Sequence, residues 1–99
     1  MNDENRYMLR ALELAKQGIG KVSPNPAVGA VIVKNNKIIG EGFHNYFGGK
    51  HAEVEAIENA MQSVENSTMF VTLEPYYPPS RSEACTERII KEKIKKVII

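Results

Sequence analysis

The sequence has one cysteine and no tryptophan among its 99 residues. A single thiol excludes an intrachain disulfide, so the fold must be held by packing and hydrogen bonds alone. No charge of one sign dominates either. Thirteen Lys and Arg against twelve Asp and Glu leave a formal net charge of +1, and the two signs are interspersed. That pattern excludes the strong basic field expected of a protein that binds nucleic acid or an anionic membrane. No apolar run approaches the roughly twenty residues that span a bilayer, and the polar start Asn2-Asp3-Glu4-Asn5 is unlike a secretory leader. A cytoplasmic protein is expected, with no membrane and no nucleic acid as partner. Internal repeats, low-complexity segments and linkers are absent as well. With 42% hydrophobic residues, residues 1–99 are expected to form one small domain, long enough for a modest core and without room for a second.

What is present follows two periodicities. Met8, Leu9, Leu12, Ala15 and Ile19 recur at intervals of three and four and predict an amphipathic helix closed by Gly18 and Gly20. Residues 27–33 form a valine-rich apolar run too short for a helix, which reads as a buried strand. Asn35-Asn36 predicts a tight turn, and residues 37–42 return as the second strand of a hairpin. A glycine-containing loop through Gly48 and Gly49 leads to a second helix, about His51 to Met61, with Val54, Ile57 and Ala60 on its inner face. Met69 to Leu73 reads as a third strand, Cys85 to about Lys93 as a third helix and Lys96 to Ile99 as a fourth strand. Helices alternating with strands after an opening hairpin predict a three-layer α/β sandwich with a mixed sheet.

The chemistry concentrates at His51-Ala52-Glu53. Zinc deaminases of nucleobases pair such a His-x-Glu with two downstream cysteines, the imidazole and thiolates holding the metal and the carboxylate moving protons. The segment Val71-Thr72-Leu73-Glu74-Pro75 leads to the place of the first cysteine, which is occupied by Tyr76, and Cys85 stands at the second. By itself His-x-Glu at a helix start is commonly a surface capping arrangement, and a lone cysteine is commonly a small buried apolar side chain. At the head of a helix, however, free amides and the helix dipole favour the thiolate form of Cys85.

In company with Ser23-Pro24-Asn25-Pro26, Val28-Gly29-Ala30-Val31-Ile32-Val33, Gly40-Glu41-Gly42-Phe43-His44, Arg81 and Ile89-Ile90, these residues resemble the deaminase domain of riboflavin biosynthesis through most of the chain. The resemblance implies a cytidine deaminase-like α/β/α sandwich, shortened at its C-terminus and without the reductase domain that many members carry. It implies hydrolytic deamination of a diaminopyrimidine bearing a ribose phosphate, with Glu53 as the catalytic proton carrier and zinc as cofactor. His51 and Cys85 would be metal ligands, the third position being taken by Tyr76. Asn25, His44 and Arg81 would contact the phosphorylated pyrimidine substrate, although an Asx turn at Asn25 and solvated loop positions for His44 and Arg81 stay open as alternatives. A homo-oligomer is a further possibility that the family suggests.

Two departures set a second function class beside the first. A phenol has a pKa of about 10 and reaches further than a thiol, and protein zinc ligands are overwhelmingly Cys, His and carboxylates. The loop Pro78-Pro79-Ser80-Arg81-Ser82-Glu83-Ala84 also departs from the family's loop. In addition, Lys95-Lys96-Val97-Ile98-Ile99 closes the sequence without turn residues, as expected of a fragment, a shortened chain or a degenerate gene product. The alternatives are therefore a zinc-dependent deaminase and a catalytically impaired relative that keeps the scaffold for binding or assembly.

Overall fold

A computed structural model describes residues 3–17, 28–43, 51–72 and 88–99. The first helix, α1, spans Asp3–Gln17, with Asp3 and Glu4 in its first turn and Lys16 in its last, charges that complement the helix dipole at both ends. Its buried face is Tyr7, Ala11, Leu14 and Ala15, a stripe at intervals of three and four. The expected face included Leu9 and Leu12, which the structure leaves 45% and 44% exposed. Small Ala11 and Ala15 win the inward positions because Gly29 lies directly beneath them: a Cβ there would run into the Ala11 carbonyl and lie 2.8 Å from the Ala15 nitrogen.

Strands β1 (Gly29–Lys34) and β2 (Lys37–Phe43) form an antiparallel hairpin. Asn35 and Asn36 turn it with φ of 53° and 63°, the left-handed pair that a two-residue hairpin turn needs and that asparagine tolerates. The pairing slips once. Val33 lies opposite Ile38 and Ile32 opposite Gly40, so that Ile39 is an extra residue in β2, a β-bulge. The bulge changes which residues face which side. Ile38 and Phe43 pack toward α1, whereas Ile39 joins the core on the opposite face, and simple alternation along residues 37–42 does not anticipate this.

Strand β3 (Thr68–Val71) runs antiparallel to β1, and β4 (Lys96–Ile98) runs parallel to β3, giving the mixed order β2-β1-β3-β4. The second helix, α2 (Ala52–Glu58), is shorter than expected because Asn59 caps it. Residues 88–91 are helical, and the start of that segment lies outside the described residues. The sheet is sandwiched: Tyr7, Ala11 and Leu14 of α1 pack with Val31, Val33 and Phe70 on one face. On the other, Ala52, Ala56 and Ile57 of α2 pack with Ala30, Ile32, Met69 and Val71, and Ile89 and Ile94 close over them. The three-layer α/β/α arrangement with a mixed sheet is thus present.

Several polar contacts lock the layers. Arg10 of α1 holds Glu41 of β2 with both ends of its guanidinium, at 2.6 and 3.0 Å. That hydrogen bond raises the Arg10 pKa above its ordinary value. The Tyr7 hydroxyl donates to the Asn36 carbonyl at 3.1 Å, fixing the head of α1 to the hairpin turn. At the outer strand β2, the Ile39 and Glu41 carbonyls accept from the Met61 amide at 2.8 Å and the Asn59 side chain at 3.1 Å, which covers that edge against unwanted pairing.

Candidate active site

The fold gathers several chain segments at one end of the sheet. Gly29 pairs with Phe43, and Ala30 pairs with Val71. Thus the entry of β1, the exit of β2 and the exit of β3 lie side by side. Two bonds fasten them: the Gly29 amide donates to the Thr72 hydroxyl at 3.0 Å, and the Thr72 amide donates to the Gly29 carbonyl at 3.0 Å. The head of α2 belongs to this end too, since Gly42 lies against Ala52 and Ala56. Segments 18–27, 44–50 and 73–87 all adjoin elements at this end through Gly29, Phe43, His51 and Thr72.

The two glycines of β2 set the distance of α2. At Gly42 a Cβ would lie 2.5 Å from the Ala56 nitrogen and 2.6 Å from the Ala52 carbonyl oxygen, and at Gly40 it would meet the Ala56 carbonyl. These obstacles are backbone atoms, which cannot swing aside. Helix and strand therefore touch nearly backbone to backbone, with Ala52 and Ala56 on the helix and Ala60 just beyond its C-cap as the matching small residues. Their spacing of four, facing glycines that alternate in β2, is a signal readable from sequence that the expected inner face of Val54, Ile57 and Ala60 passed over.

His51 is the N-cap of α2, extended at φ −69° and ψ 154°. Its carbonyl accepts the Glu55 amide at 3.0 Å, while its exposed side chain makes no capping hydrogen bond. The ordinary capping explanation of a histidine here does not hold for this imidazole. Glu53 sits in the first helical turn and is only 3% exposed, held by interactions within the fold. A carboxylate is seldom buried without a purpose, because desolvation penalises its charge. The start of α2 thus presents one imidazole outward and one carboxylate inward, in different directions around the axis.

Of the other expected site residues, Asn25, His44, Tyr76, Arg81 and Cys85 lie outside the described residues. Sequence places each in a segment adjoining the end just described: Asn25 before β1, His44 directly after Phe43, and Tyr76, Arg81 and Cys85 between Thr72 and Arg88. Among the described residues no group of three His, Cys, Asp or Glu side chains gathers where a metal ion could be held. Sequence reasoning took Thr72 and Gly29 only as parts of a motif and missed their mutual clamp, and it missed the Arg10–Glu41 pair, whose partners lie far apart in sequence.

Comparison with known proteins places this geometry. The family model of the cytidine and deoxycytidylate deaminase zinc-binding region matches residues 1–99. The chain is 48% identical over 97 residues to the chloroplastic riboflavin biosynthesis protein PYRD of Arabidopsis thaliana, covering 98% of this chain and 23% of that protein. It is 46% identical over 93 residues to a diaminohydroxyphosphoribosylamino-pyrimidine deaminase of Buchnera aphidicola, covering 94% and 63%. A crystal structure of the deaminase/reductase of Thermotoga maritima superposes with a TM-score of 0.83 at 49% identity, over 96% of this chain and 28% of that one. The chain spans about a quarter of the length of most of the curated relatives it matches. A guanine deaminase from Bacillus subtilis is also similar, with a TM-score of 0.71 at 31% identity over 99% of this chain and 63% of that one. With a family model that matches the chain end to end, a cytidine deaminase-like sandwich and a buried glutamate behind His51, the chain belongs to the cytidine and deoxycytidylate deaminase zinc-binding family.

Proposed function

We propose that this chain is the scaffold of a hydrolytic pyrimidine deaminase of riboflavin biosynthesis, acting on a diaminopyrimidine that carries a ribose phosphate. The observation that carries this reading is Glu53, a buried carboxylate in the first turn of α2 at the end of the sheet to which every other candidate residue is connected. In hydrolytic deamination, water adds to the ring carbon that bears the amino group, and the carbon–nitrogen bond then breaks to leave a carbonyl and ammonia. Glu53 takes one proton from the attacking water and delivers it to the ring nitrogen, then carries the second, from the resulting hydroxyl, to the amine that leaves as ammonia. Asn25 would read the edge of the pyrimidine, Arg81 would pair with the phosphate and His44 would contact substrate.

Zinc is the metal of the family, and His51 and Cys85 are its proposed ligands here. The donors present do not fit a complete site. One imidazole and one thiolate stand where the family chemistry uses a further thiolate, and Tyr76 occupies the third place. Tyr76 therefore favours a second reading, in which the scaffold binds the phosphorylated pyrimidine or assembles with other copies without turning substrate over. Residues 1–99 are read as a single deaminase domain. No helix among the described residues is long and apolar enough to cross a membrane, and a cytoplasmic location is part of the proposal.

The test is ammonia release from the phosphorylated diaminopyrimidine. General acid–base catalysis is worth about 10²–10⁴-fold, so Glu53→Gln should lower turnover at least a hundredfold while the circular dichroism spectrum stays unchanged. Activity that survived this change would rule out Glu53 as the proton carrier. Tight binding of the pyrimidine with no ammonia from the unmodified chain would establish the second reading instead.

A further inference from the structure

The possible metal donors of this chain can be enumerated. It has one thiol, Cys85, and two imidazoles, His44 and His51. The described carboxylates of β2 and α2 are already engaged: Glu41 is held by both ends of the Arg10 guanidinium, and Glu53, Glu55 and Glu58 each have partners within the fold. Among the described residues no three-donor group gathers, and outside them the sequence offers one further imidazole, His44, and one thiol, Cys85. The carboxylates there, Glu74, Glu83 and Glu87, are not the second thiolate that the family chemistry uses. An unperturbed phenol has a pKa of about 10, whereas a metal ligand must give its proton up, so a tyrosine is a poor substitute for a cysteine at position 76.

We infer that this chain departs from the metal binding for which its family is named: it is a zinc-poor member, limited at position 76. The inference rests on the reading of His51 and Cys85 as the surviving donor pair. Two protein donors leave an exchangeable ion, whereas three make the open tetrahedral site of a catalytic zinc. Loss of groups that merely support a metal ligand already costs about 10–100-fold in affinity or activity, and loss of a charged ligand itself costs more.

Zinc content of the purified chain, measured after dialysis and by competition with a chromogenic chelator, tests this. The unmodified chain should hold well under one zinc, and Tyr76→Phe should match it because the phenol contributes nothing. Tyr76→Cys and Tyr76→His should each approach one zinc and bind it on the order of 100-fold more tightly, and adding Cys85→Ser to Tyr76→Cys should undo the gain. Tightly held stoichiometric zinc in the unmodified chain would overturn the inference. So would a failure of both Tyr76→Cys and Tyr76→His to gain zinc while thermal melting shows them folded. An ammonia assay separates this inference from the substrate reading. Tyr76→Cys that gains zinc but releases no ammonia sinks the substrate and leaves the inference standing. Ammonia release by an unmodified chain that carries stoichiometric zinc does the reverse.

Discussion

Gly42 has no room for a Cβ, because the Ala56 nitrogen and the Ala52 carbonyl stand 2.5 and 2.6 Å from where it would lie. Overpacking a well-packed site costs about 1–3 kcal/mol and occasionally more, so Gly42→Ala should lower the unfolding free energy by about that much, seen as a lower urea midpoint with an unchanged slope. Since α2 begins with His51 and Glu53, the same substitution pushes the candidate site off its register with β1 and β3. The opposite sign is expected at Ser67. Its hydroxyl is fully buried and has no hydrogen-bond partner among the described residues, while its carbonyl accepts the Lys95 amide at 2.9 Å. Ser67→Ala removes an unpaid desolvation and leaves that backbone bond intact, so stability should hold or rise by up to about 1 kcal/mol. A loss above that in a denaturant titration would mean that the hydroxyl has a role the geometry does not show.

At the scale of elements, the joints are side chains that sequence periodicity cannot pair. Thr72 carries the end of β3 to the start of β1 through its hydroxyl and its amide. Thr72→Val keeps the shape but leaves the Gly29 amide without its acceptor, which should cost about 1–3 kcal/mol, and Thr72→Ser should recover most of it. The Arg10–Glu41 pair joins α1 to β2 with side chains 38% and 31% exposed. At that exposure a double-mutant cycle should give a coupling of about 0.5–1 kcal/mol, shrinking as salt is raised. Strands, helices and the Asn35-Asn36 turn were legible because each is a local pattern. The phase of α1 was legible only in part: Ala15 is buried as expected, but the burial of Ala11 with Leu9 and Leu12 left outward depends on Gly29, far along the chain. Nor was the Ile39 bulge, which shifts the facing of β2 by one residue and can be seen only against the register of β1. His51 and Glu53 were legible as a pair because their spacing carries chemistry, but the burial of Glu53 is a property of the packed helix.

Across the whole molecule the two sides of the sheet are treated differently. Met61 and Asn59 cover the carbonyls of β2, whereas β4 pairs, among the described residues, only with β3. Ile99, which directly follows β4, is 66% exposed, and Ile90 is 70% exposed. A strand edge unpaired among the described residues, together with exposed apolar side chains, invites pairing, and Lys95 and Lys96 oppose it by mutual repulsion between copies. The 99-residue chain is therefore expected to self-associate in light scattering, more strongly as added salt screens the lysines. A monomer of constant mass across concentration and salt would contradict this.

On the proposed reading, the end of the sheet where β1 enters, β2 and β3 leave and α2 begins is a pyrimidine site with Glu53 inside it. An amide NMR titration of the chain with the phosphorylated diaminopyrimidine tests it. Saturable shifts should concentrate on Gly29, Ala30, Phe43, His51, Ala52, Glu53 and Thr72, with the hairpin turn at Asn35 and Asn36 unmoved. Shifts centred on that turn or on β4, or none at saturating ligand, would contradict it.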